Sequence, residues 1–146
     1  MNIDTLNWKI LKCLQVNARQ SNAEIGRTVG ISSPAVSERI KKMEDAGIIE
    51  GYFTNVSPFE CGYQLQAIIT LRAFMGKLKP FLSQVKTYDE VVNCYRITGN
   101  ENIVMEVVLK NQKHLEKFID QLISYGETKT QIVLSQVVEN NEIKSL

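Results

Sequence analysis

The sequence predicts an α+β chain in two parts, three helices followed by a β-α-β-β-α-β sandwich. Two observations carry this. Up to residue 45, apolar residues recur every three or four positions, the period of a helix face. Beyond residue 65, β-branched runs alternate with two amphipathic segments, and Gly, Pro and Ser mark the joins. With 146 residues the chain is long enough for two small domains. The expected division is 1–50 for the helical domain, 51–62 for a hinge strand and linker, and 63–146 for the sandwich.

The first helix starts after Asp4, a plausible N-cap, and carries Leu6, Ile10 and Leu14 on one face with Leu11 beside them. It breaks at Asn17-Ala18-Arg19-Gln20. Ser21 or Asn22 caps a short second helix, Ala23 to Val29, with Ile25 and Val29 inward and Gly30 as its stop. Ser32 or Ser33 caps the third, with Pro34 in its first turn, where a missing N–H costs nothing. That helix runs to about Asp45. Ile49, Tyr52, Phe53 and Val56 then read as a hinge strand.

Strands follow at Gln66–Phe74, Val91–Thr98, Ile103–Leu109 and Thr128–Val138, with helices at Leu78–Val85 and Gln112–Tyr125. Gly99-Asn100-Glu101-Asn102 reads as a hairpin turn. Two β-α-β halves in this order predict a ferredoxin-like antiparallel sheet with both helices on one face. Ile68, Val92 and Val107 are the sheet positions expected to form an apolar face shared between subunits.

Charge and cysteine usage narrow the function. Lys and Arg number 17 against 16 acids, so net charge alone does not announce a nucleic-acid partner; any basic surface must lie on one face. Cys13, Cys61 and Cys94 are few and scattered, which argues against a disulfide framework and against a zinc site. No secretory leader and no apolar run of about 20 residues are present, so the expectation is a cytoplasmic protein with no membrane partner. His114, the one histidine, stands in the polar stretch Asn111-Gln112-Lys113-His114, and no hydrolase, zinc-protease or P-loop motif occurs. No enzyme and no cofactor are expected.

Ser21 to Ile49 is the informative stretch. Two helices meeting steeply across a short turn need a small residue where the second crosses the first, and Gly26 fits. Gly30 permits a positive φ, and Ile31 plugs the turn into the core. Val36, Ile40 and Met43 form one inward stripe, which turns Ser37, Glu38 and Lys41 to the other side. In a helix-turn-helix the third helix meets base edges with its N-terminal residues and outer face. Ser32, Ser33, Ser37 and Glu38 are the candidates for the capped start and base contacts, and Arg39, Lys41 and Lys42 for phosphates of double-stranded DNA. The competing reading is a three-helix bundle with an ordinary solvated face.

On these residues the chain resembles the Lrp/AsnC (feast/famine) transcription regulators. Asp4-Thr5-Leu6-Asn7-Trp8-Lys9-Ile10-Leu11 follows that family's D-x-x-D-x-x-I-L opening, with Asn7 in place of the second acid. Asn17-Ala18-Arg19, Gly30-Ile31-Ser32, Arg39 and Glu44-Asp45-Ala46-Gly47-Ile48-Ile49 fall where its pattern expects them. The resemblance implies a winged or plain helix-turn-helix domain, a second domain that forms homo-oligomers (dimers, often octamers) and, in many members, a small amino acid effector. It places that effector at the turn Thr98-Gly99-Asn100-Glu101-Asn102, where a glycine turn exposes N–H groups to a carboxylate and Glu101 faces an α-ammonium. The family pattern has an aspartate and an aromatic residue after the glycine turn; Asn102 and Ile103 stand here. A DNA-bridging architectural protein and a metabolite-binding module with a protein-contacting helical segment are the alternatives.

Overall fold

A computed structural model describes residues 3–145. The chain divides into two compact units, one running up to Asn55 with the tail from Val138, the other from Val56 to Val137.

The helical unit comprises α1 (Thr5–Val16), α2 (Asn22–Val29) and α3 (Ser33–Asp45). Local chemistry sets each boundary. The Asp4 carboxylate caps α1 by accepting from the Asn7 N–H at 2.7 Å. Ser21 caps α2 in a reciprocal box: its hydroxyl accepts from the Glu24 N–H, and the Glu24 carboxylate accepts from the Ser21 N–H at 2.7 Å. Gly30 ends α2 at φ +82°, a left-handed conformation that penalises a β-carbon. Ile10, Leu11, Ile25, Val36 and Met43 form the core, with Trp8, Leu14, Val29, Ile31 and Ile40 packed around it.

The tail returns to this unit. The Gln15 side chain donates to the Ile143 carbonyl at 3.1 Å and accepts from the Ile143 N–H at 2.8 Å, and Asn55 donates to Glu139.

The second unit holds β1 (Leu65–Ala73), α4 (Leu78–Gln84), β2 (Val91–Arg96), β3 (Ile103–Leu109), α5 (Gln112–Leu122) and β4 (Gly126–Ile132). All pairings are antiparallel in the order β2-β3-β1-β4, the expected sandwich topology. Ala67, Ile69 and Leu71 of β1 and Ile103, Met105, Val107 and Leu109 of β3 pack against Phe81 of α4 and Phe118 and Leu122 of α5. Tyr88 meets Phe118 edge-on at 5.4 Å, and Tyr125 meets Phe81 at 5.5 Å.

Several expectations need correction. Residues 51–57 form no strand. Their β-formers find no partner strand within the unit, and Tyr52 instead donates to Glu44 at 2.8 Å. The last strand stops at Ile132, not Val138, because β1 starts at Leu65; Val133 bonds to Gln66 and nothing further along β1 remains to pair. The second strand ends at Arg96, short of Thr98, with its register shifted between Val91 and Asn93. The fourth helix gives way at Val85 to a 3-10 turn. The fifth ends at Leu122, and the Tyr125 carbonyl already accepts from Phe74. Val107 faces the helices, in step with Ile103 and Met105, so it cannot contribute to the open face of the sheet.

Candidate nucleic-acid interface and effector turn

The third helix is anchored from below. Val36 and Met43 are fully buried and Ile40 is half-buried, which leaves Ser33, Ser37, Glu38, Lys41 and Lys42 exposed. Ser32 sits just before the helix, and its hydroxyl accepts from the Ala35 N–H at 3.4 Å as the N-cap. Pro34 removes a donor from the first turn, so the amides facing outward there are few.

Gly26 has a different neighbour from the one expected. A β-carbon there would stand 2.5 Å from the Ile31 carbonyl oxygen, so the residue makes room for the backbone of the turn rather than for the crossing helix.

The charged residues are not equivalent. Lys42 pairs with Glu38 at 2.7 Å, one turn apart, with both side chains more than half exposed. That hydrogen bond first, and the Lys42 charge second, hold the Glu38 carboxyl below its ordinary range, so Glu38 is ionised at neutral pH. Lys41 takes part in none of the ion pairs among the described residues. Arg39 is turned back on the protein. Its guanidinium donates to the Asp4 carboxylate at 2.8 Å and to the Asn7 side-chain oxygen at 3.0 Å, tying α3 to the start of α1. The Arg39 hydrogen bond is the main reason the Asp4 carboxyl lies below its usual value. Asn7 is almost wholly buried, at 2% exposure, and is the one buried polar side chain of the helical unit among the described residues. The residue in place of the family's second acid is thus Arg39's inner partner, and the opening motif together with Arg39 is the sequence signal for this clamp.

At the other candidate site, the turn between β2 and β3, Thr98, Gly99 and Asn100 are exposed and Gly99 adopts φ +115°. Asn102 closes the turn structurally. Its N–H donates to Leu71, its side-chain oxygen accepts from the Ala73 N–H at 2.8 Å, and its carbonyl accepts from Ile97. Glu101 is bound to Lys129 of β4 at 2.6 Å. Two further charges, Arg72 and Glu127, pair at 2.8 Å on the same strands.

The comparisons with known proteins follow this division. Residues 3–50 match a winged helix-turn-helix DNA-binding model. Residues 66–143, more than half of the chain, match the Lrp/AsnC ligand binding domain. The chain belongs to the Lrp/AsnC family. The HTH-type transcriptional regulator Ptr1 of Methanocaldococcus jannaschii is 36% identical over 121 residues, covering 83% of this chain and 82% of that one. Escherichia coli AsnC superposes with a TM-score of 0.87 at 31% identity, covering 99% of this chain and all of that one. A Neisseria meningitidis regulator, NMB0573, solved as a complex with L-Met, gives 0.89 at 27% identity, with 94% of each chain covered. This member of the Lrp/AsnC family is a DNA-binding transcriptional regulator, not an enzyme.

Proposed function

We propose that this Lrp/AsnC regulator reads a duplex operator by laying the exposed side of α3 in the major groove. Ser33 and Ser37 meet base edges, Glu38 selects among bases from its position beside Lys42, and Lys41 contacts phosphate. Ser32 positions the helix start, and Arg39 holds α3 on α1 instead of contacting DNA. One observation carries the reading: Val36 and Met43 are completely buried, which commits Ser37, Glu38 and Lys41 to the outside.

The protein works in the cytoplasm as a homo-oligomer, a dimer or a larger assembly up to an octamer, and a dimer doubles the small basic surface that each α3 offers. Apolar side chains not fully covered support assembly: half-buried Ile68 and Val104 line the sheet face away from the helices with the exposed Tyr95, and Phe53 is 89% exposed. A small carboxylic effector acts at the turn Thr98–Asn102. The ligand-binding-domain match and the L-Met complex of the related NMB0573 protein support this.

Selection of bound sites from a random duplex pool, followed by salt titration, tests the DNA reading. Lys41→Ala lowers the slope of log affinity against log salt by about 0.9 per contact per subunit, and Ser37→Ala changes the preferred sequence. Loss of affinity by the same factor on every sequence for both variants defeats direct base readout.

A further inference from the structure

The turn proposed as the effector site carries its own cation. The Glu101 carboxylate is three-quarters buried, with its side chain 26% exposed, and the Lys129 ammonium is bound to it at 2.6 Å from the neighbouring region of β4. Lys129 pairs across the sheet with Thr70 of β1, and Thr70 pairs with Val104, just inside the turn. The ammonium therefore reaches Glu101 across the open face of the sheet. The hydrogen bond from Lys129 is the largest cause of the lowered Glu101 carboxyl, and the Arg72 charge adds to it. An amino acid arriving at this turn would find the carboxylate meant for its α-ammonium already neutralised.

The surroundings favour the other half of such a molecule. On the open face Arg72 and Lys129 balance Glu101 and Glu127, and Arg96, the last residue of β2, adds one positive charge at the base of the turn on the other face, opposite Ile103. Thr98, Gly99 and Asn100 are exposed, with Gly99 at φ +115°, so the backbone of the turn is open to an anion.

We propose that Lys129 is a specificity-determining residue that stands in for the effector's ammonium group, so that the turn of this regulator accepts a small carboxylic acid without an α-ammonium, a 2-oxo or 2-hydroxy acid, in preference to the corresponding amino acid. The inference rests on the effector reading of the turn given above.

Calorimetric titration of the full-length protein with matched pairs tests it: alanine with pyruvate, methionine with its 2-oxo acid, and glutamate with 2-oxoglutarate. In the parent protein the oxo acid of at least one pair binds about fivefold or more tightly than its amino acid, the scale of one displaced exposed ion pair. Lys129→Gln reverses the order, strengthening the amino acid and weakening the oxo acid. Glu101→Gln placed on Lys129→Gln removes the gained amino acid binding. Amino acids bound equally well by the parent and by Lys129→Gln overturn the role of Lys129 and leave the effector reading standing. Absence of binding for every compound, in the parent and in Lys129→Gln alike, overturns both.

Discussion

Arg39→Met separates two roles that a basic residue on α3 can have. Methionine keeps much of the apolar stem and removes the guanidinium, so the Asn7 side-chain oxygen, 3.0 Å away in a residue 2% exposed, loses its donor. An unpartnered buried acceptor costs about 1–3 kcal/mol. The Asp4 partner is exposed and adds little, which puts the expected loss at about 1–2 kcal/mol. Asn7→Leu on the same background removes the stranded acceptor, and stability returns to within about 1 kcal/mol of the parent, since replacing both members of a buried polar pair is far milder than removing one. Trp8 is the only tryptophan and packs against the helical core, so its fluorescence in urea reports on this unit specifically. With an m-value of about 1–3 kcal/mol/M, the single variant's midpoint falls by roughly 0.3–2 M. The DNA arm of the experiment is independent: Arg39→Met leaves the salt slope at the parental value, whereas Lys41→Ala reduces it. A salt slope that drops as far for Arg39→Met as for Lys41→Ala, or a single variant no less stable than the double, would refute the clamp.

Three further outcomes follow from the same geometry. Gly126→Ala places a β-carbon 2.8 Å from the Arg72 carbonyl carbon and 2.9 Å from the Ala73 Cα; forcing β4 off β1 costs about 1–3 kcal/mol and outweighs the usual 0.4–1 kcal/mol (roughly) gain of Gly→Ala, as a thermal melt of the sheet unit will record. Asp4, Glu24 and Glu38 all have carboxyls lowered by native partners. Their contribution is therefore complete above the unfolded values of 3.8–4.5 and is lost as pH falls through the lower folded ones; Trp8-monitored melts between neutral and strongly acid pH show whether it is. Partial burial, and then the Glu44 carboxylate, push the Tyr52 phenol up to about 12. An ultraviolet titration accordingly shows one tyrosine ionising near that value, and Tyr52→Phe deletes that step.

The sequence carried the helical unit almost completely because its signals are local. The Ser21–Glu24 box, Gly30, the Ser32–Pro34 start and the Val36–Ile40–Met43 stripe each act within one or two turns of chain. The Ile103–Leu109 strand was equally plain, because a short apolar run rich in β-branched residues and the flanking turn agree. What could not be read depends on residues far apart. Arg39 meets Asp4 across 35 positions, and Glu101 meets Lys129 across 28; no periodicity encodes which acid a given cation will find. The Ile49–Val56 segment has strand-forming side chains, yet a strand also needs a neighbouring backbone, and propensity is silent on that.

The Asn55–Glu139 and Gln15–Ile143 contacts join positions 84 and 128 residues apart. During synthesis the three-helix core, which uses no tail residue, can close early, but its outer strap arrives only after the whole sheet unit has left the ribosome. The tail as far as Ile143 consequently sits beside α1, and an excised sheet unit is better cut at Val137 than carried on through residues whose docking surface has been removed.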